Sequence, residues 1–170
     1  MIEARIVESP AMTFVGLEVS FNHGLSKDST AAQVIGPLWG QFGCRAEEVA
    51  NRVGREMHGV IYGRPETERK HPDELQYIAA VQVSAADKLP PNMVARTIPA
   101  ATYAVFLHRG PIQGITNTVR EIYREWIPQS GYQHAEIADI ELYDSRFDCE
   151  SPTSEMEYWI SVVPKGSSSP

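Results

Sequence analysis

The chain has 170 residues, 42% of them hydrophobic and 22% charged, with a formal charge of −7, a composition that suits one globular domain with a sizeable core. The acidic excess argues against a surface that tracks phosphates, and no apolar run approaches the roughly 18 residues of a membrane span. With no signal region at Met1–Arg5, the expectation is a cytoplasmic protein with neither nucleic-acid nor membrane partner. Cys44 and Cys149 make no disulfide framework, and the five histidines show no metal-ligand spacing, so no metal or cofactor is expected.

In chain order, residues 5–7 and 13–21 alternate like strands around a turn at Ser9-Pro10. A polar loop leads to a helix through Val34, Leu38, Trp39 and Phe42, with Pro37 inside the pattern or at its first turn. Residues 59–62 and 75–83 read as strands, joined by a charged connection, and Pro90-Pro91 marks a linker. The order then repeats. Residues 95–97 and 102–108 are strand-like, and 112–126 spaces Ile115, Val119, Ile122, Tyr123 and Trp126 as one helix face. Two strands, 139–143 and 156–162, close the fold before a loose tail at 165–170.

Pro10-Ala11-Met12-Thr13-Phe14 is echoed by Pro99-Ala100-Ala101-Thr102-Tyr103, and Glu74-Leu75-Gln76-Tyr77 by Glu155-Met156-Glu157-Tyr158. These echoes predict a duplication within a single domain over 1–164, with halves at about 1–87 and 93–164. The fold class expected is α+β, with antiparallel sheets around a central ligand groove and a helix on each outer face.

The last two strands carry the candidate site. Glu141 and Tyr143 form one row of the first, and Glu157 and Trp159 one row of the second. If the strands pair with these rows on one face, two carboxylates and two aromatics meet, a seat for a flat or cationic ligand. The repeat adds Tyr62 as the counterpart of Tyr143. Tyr77, Tyr158, Trp39 and Trp126 fall on apolar rows and read as core. His108 is placed to face Glu141 as an acid–base partner or to sit at an exposed loop end.

Ile98-Pro99-Ala100-Ala101-Thr102-Tyr103, His108-Arg109-Gly110, Trp126-Ile127-Pro128, Ile140-Glu141-Leu142-Tyr143-Asp144 and Glu157-Tyr158-Trp159-Ile160 resemble the GyrI-like small-molecule-binding family. That family supplies the effector-binding domain of AraC-type and MerR-type multidrug regulators. The resemblance implies a duplicated strand–helix–strand–strand fold whose cavity holds hydrophobic, often cationic, compounds, with Glu141 as the ligand-contacting acid and Tyr143 beside it. Ala80 and Ser161 stand where members often carry glycine and proline. No helix-turn-helix segment accompanies the domain, so the expectation is a stand-alone protein that sequesters or senses drugs or toxins, as monomer or homodimer. Some stand-alone members are similar and hydrolyse electrophilic cyclopropane toxins. The alternative is therefore an enzyme in which Glu141 activates water and Tyr143 donates a proton.

Overall fold

Each alternating row becomes a strand because one side of it has something to cover. In the computed structural model, which describes residues 2–166, the first half runs β1 (Arg5–Ser9), β2 (Met12–Asn22), α1 (Ala31–Gly43), β3 (Met57–Tyr62) and β4 (Glu74–Val83). The second half runs β5 (Val94–Ile98), β6 (Ala101–Arg109), α2 (Ile115–Glu121), a π-helical turn (Ile122–Trp126), α3 (Ile127–Gln129), β7 (Tyr132–His134), β8 (Asp139–Tyr143) and β9 (Glu155–Pro164). Pro37 lies inside α1 rather than at its start.

The strands pair antiparallel in the order β1-β6-β9-β8-β3-β4-β2-β5, with β7 beside β9. From either edge inwards the order is equivalent, which is what a duplicated unit related by a pseudo-twofold axis gives. The axis passes through the central joint of β3 and β8, where Val60 stands opposite Ile140. At the edges the halves exchange strands. β1 pairs with β6 of the second half, and β5 pairs with β2 of the first. The α+β class and the antiparallel pairing agree with the sequence reading, but the two sheets are continuous, joined edge to edge.

One face of the sheet carries both helices. Leu38 and Phe42 of α1 pack on Val15, Leu17, Tyr77 and Val81, and Ile122 of the π turn packs on Phe106, Tyr158 and Ile160. The opposite face buries Phe14, Ile78, Tyr103 and Ile140 in a cluster to which, among the described residues, no helix contributes. That face is covered by the strands themselves and by Ile137 and Ala138 of the β7–β8 connection, and the helices stay on the other side. Each such side chain contributes about 1.5–3 kcal/mol through burial. The centre of that face is filled, with a polar cavity of about 600 Å³ toward its edge lined by Val105, Leu107, Arg146 and Glu157, and the apolar cleft falls between the two helices.

The helix expected over 112–126 starts at Ile115 and widens into the π turn. That extra residue per turn lets Tyr123 reach β8 while Trp126 stays edge-on to Phe106, 5.0 Å between ring centres. Lys165, expected to begin a loose tail, is tied down by its Nζ, which donates to the carbonyls of Pro128 and Ser130 at 2.7 Å each. Residues 167–170 of that tail lie outside the described residues.

Candidate functional site

The cleft between the helices has a volume of about 350 Å³. Ile35 of α1 and Ile115 and Val119 of α2 form its walls, with Phe21, Ile61 and Leu75 of the sheet and Leu25 of the β2–α1 loop. Into this apolar space the sheet brings Asp139, Glu141 and Tyr158, and the second half adds Tyr123 and His134. An apolar cleft with a few convergent polar groups is the usual form of a small-ligand site.

Glu141 is the acid that stands out. It is 7% exposed, and its Oε2 accepts the hydroxyls of Tyr77 at 2.5 Å and Tyr143 at 2.8 Å. Trp39 Nε1 donates in turn to the Tyr77 hydroxyl at 2.8 Å. Both tyrosines bond the same oxygen, and Oε1 accepts from neither. Among the described residues no cationic side chain pairs with Glu141. Burial raises its pKa above the ordinary glutamate value, against the lowering effect of the two hydroxyls. Burial and the neighbouring charge of Glu141 push both tyrosines well above their usual range, so they stay protonated as donors.

A glycine makes this meeting possible. Glu141 on β8 and Tyr77 on β4 are separated by β3, where Gly59 is the residue opposite Glu141. A Cβ at Gly59 would lie 2.3 Å from Glu141 Oε2 and 2.3 Å from the Tyr77 hydroxyl. Only a residue without a side chain lets the two reach across the strand.

Asp139, two residues earlier on the same face, is held differently. Its Oδ2 accepts Tyr123 at 2.5 Å and Tyr158 at 3.2 Å, and its Oδ1 lies 3.0 Å from His134 Nε2. Burial works against charge on His134, but the hydrogen bond and charge of Asp139, with help from Glu136, raise its pKa overall. This carboxylate thus faces an imidazole whose charged form it favours, whereas Glu141 has neutral donors.

The structure brings Glu141 and Tyr143 together, with Tyr143 behind the acid rather than along the cleft. It places Tyr62, Trp159 and Glu157 on the other face. Glu141 stands opposite Tyr158, while Trp159 stands opposite Ile140 and Glu157 opposite Leu142. Trp159 packs on Tyr103 at 5.7 Å, and Glu157 accepts from Trp159 Nε1 and pairs with Arg5 and Arg146. Tyr62 donates to Glu18 beneath the Arg96 guanidinium. The cause is one residue of register. Tyr158 follows Tyr77 by 81 positions, but Glu141 follows its counterpart Ile61 by 80, so the counterpart of Tyr62 is Leu142. A slip of one residue exchanges the faces of a strand.

Tyr77, Tyr158 and Trp39 are buried or half-buried, as their apolar rows suggest, yet their polar atoms serve the two acids. The sequence reading missed Gly59, Asp139, Tyr123 and His134. His108 bonds Thr118 and the carbonyl of Pro111 rather than Glu141. Cys44 and Cys149 are exposed free thiols. Among the described residues no group of His, Cys, Asp and Glu is placed to hold a metal, and no helix is long and apolar enough to cross a membrane.

An antiparallel sheet with its helices on one face, and an acid-bearing apolar cleft between them, defines a small-ligand-binding module. The chain belongs to the GyrI-like family, whose GyrI-like small molecule binding domain model matches residues 2–163. It is 31% identical over 163 residues to the transcriptional regulator BrlR of Pseudomonas aeruginosa, covering 95% of this chain and 56% of that one. It is 35% identical over 103 residues to a DNA gyrase inhibitor of Yersinia enterocolitica, covering 56% of this chain and 63% of the relative. The chain thus spans just over half to under two thirds of these curated relatives. In fold it is similar to SAV2435, solved bound to tetraphenylphosphonium, with a TM-score of 0.75 at 18% identity over 95% of this chain and 94% of that one. A putative bacterial transcription regulation protein from Staphylococcus aureus gives a TM-score of 0.68 at 20% identity over 95% and 99%.

Proposed function

We propose that this protein captures hydrophobic aromatic cations in the cleft between α1 and α2, for sensing or sequestration, with Glu141 as the charge complement. The observation that carries this reading is a carboxylate in apolar surroundings that no cationic side chain neutralises. Burying an unpaired carboxylate costs several kcal/mol, and a sequence keeps such a cost where an occupant relieves it. A delocalised organic cation sheds its water more readily than an ammonium ion, and its apolar body suits walls of isoleucine, leucine and valine. Phe21, Tyr123 and Tyr158 add rings, each able to contribute about 0.5–2 kcal/mol of cation–π attraction when desolvated. Tyr77 and Tyr143 act by orienting Glu141. The tetraphenylphosphonium held by SAV2435 is a compound of this chemistry.

Calorimetric titration with tetraphenylphosphonium, run beside neutral triphenylphosphine oxide, tests the reading. The cation should bind and the neutral compound should bind far more weakly. Glu141→Gln should weaken the cation by at least about tenfold, the scale of one close charge pair. Equal affinity of wild type and Glu141→Gln would overturn the assignment. A second reading draws on the raised pKa of Glu141, which brings it nearer the range of a general base. It makes Glu141 the activator of water against a strained electrophile. The elevated tyrosine pKa values leave Tyr143 a weak acid for that reaction. Ring-opened product accumulating beyond one equivalent per protein, and lost in Glu141→Gln, would select the enzyme.

A further inference from the structure

Two carboxylates on β8 enter the same cleft roughly 6–7 Å apart along the strand, and they differ in one respect. Asp139 has His134 against one oxygen and two tyrosine hydroxyls against the other. Glu141 has hydroxyls alone. Among the described residues no lysine or arginine lines the cleft. We infer that His134 is the specificity-determining residue for ligand charge: by pairing with Asp139 it leaves Glu141 as the single uncompensated acid, so the cleft favours singly charged aromatic cations over doubly charged ones.

This inference rests on the cation-capture reading and adds which cations are taken. A protonated imidazole on Asp139 cancels that carboxylate for anything entering the cleft. A dication would then set its second charge beside an already neutral pair and lose hydration without gaining a partner. A monocation needs one acid and finds one. The imidazole is itself held in place, its ring 5.5 Å from the ring of Tyr123 and its Nε2 3.3 Å from that hydroxyl. The pair is therefore part of the cleft wall rather than a mobile surface contact.

Two probes built on one biaryl frame test this: N-methyl-4-phenylpyridinium with one charge and N,N′-dimethyl-4,4′-bipyridinium with two. Wild type should favour the monocation. In His134→Gln the ratio of the two dissociation constants should move toward the dication by at least about tenfold. His134→Phe, which keeps a ring against Tyr123 and drops the charge, should move it the same way. In His134→Gln combined with Asp139→Asn the ratio should return to the wild-type value, which a merely structural role for His134 would not produce. Monocation binding that depends on Glu141, with a ratio indifferent to His134, would overturn this inference alone. Binding of neither probe by wild type would overturn it together with the reading beneath it.

Discussion

Glu141 and His58 are both buried and titratable, and their shifts run in opposite senses with opposite consequences for stability. Glu141 holds its proton more tightly in the fold than in the unfolded chain. Relative to a neutral residue, its contribution is harmless below the ordinary glutamate range and turns destabilising as pH rises through the raised value. Glu141→Gln should therefore melt higher than wild type at neutral pH while losing the cation, with the two melting curves converging in acid. His58 is the reverse case. Burial beside Phe14 lowers its pKa from 6.5 to about 4, despite the charge of Glu56. Its Nδ1 is buried with no hydrogen-bond partner among the described residues. The unfolded chain takes up that proton first, so stability present above pH 6.5 is lost as pH falls toward the depressed value, by about 3 kcal/mol. Denaturant titrations across that range should show a shallower decline in His58→Leu.

At the scale of strands and helices, Gly59 is the tightest constraint on the site. Gly59→Ala puts a methyl where Tyr77 and Glu141 touch, and should destabilise by about 1–3 kcal/mol. It should also weaken tetraphenylphosphonium, because the acid loses the donor that aims it. Unchanged affinity in a folded Gly59→Ala would show that Tyr77 does not set the position of Glu141. The strand rows of β8 and β9 and the stripe of Ile115, Val119 and Ile122 were legible, since alternation and three-and-four spacing follow directly from backbone geometry. The register between β8 and β9 was not. The connection from Asp144 to Ser154 is too long for its turn chemistry to fix the pairing, so Trp159 could not be told from Tyr158 as the neighbour of Glu141. The π turn was hidden for a related reason. Tyr123 and Trp126 fit one straight stripe equally well, and only their separate partners, Asp139 and Phe106, require the wider turn.

For the whole molecule, the short echoes point to a duplication, but the pairing of the strands was not legible, because sequence similarity does not say which half a strand pairs with. The continuous sheet predicts one cooperative unfolding transition, with calorimetric and van't Hoff enthalpies in agreement. Two separable transitions would show that the halves are independent. Saturation with tetraphenylphosphonium at about 100 times its dissociation constant should add about 2.7 kcal/mol and raise the midpoint of that single transition by roughly 5–10 °C. The exchanged edge strands carry this further. Because β1 is clasped by the second half and β5 by the first, the copies are interlocked like linked arms, and swinging them apart would break two edge pairings as well as the central one. Residues 23–25 of the β2–α1 loop line the cleft in which the cation is proposed to sit. Discrimination among compounds in such a vessel is then a matter of what its fixed lining tolerates, tunable one side chain at a time, rather than of how far a jaw can shut.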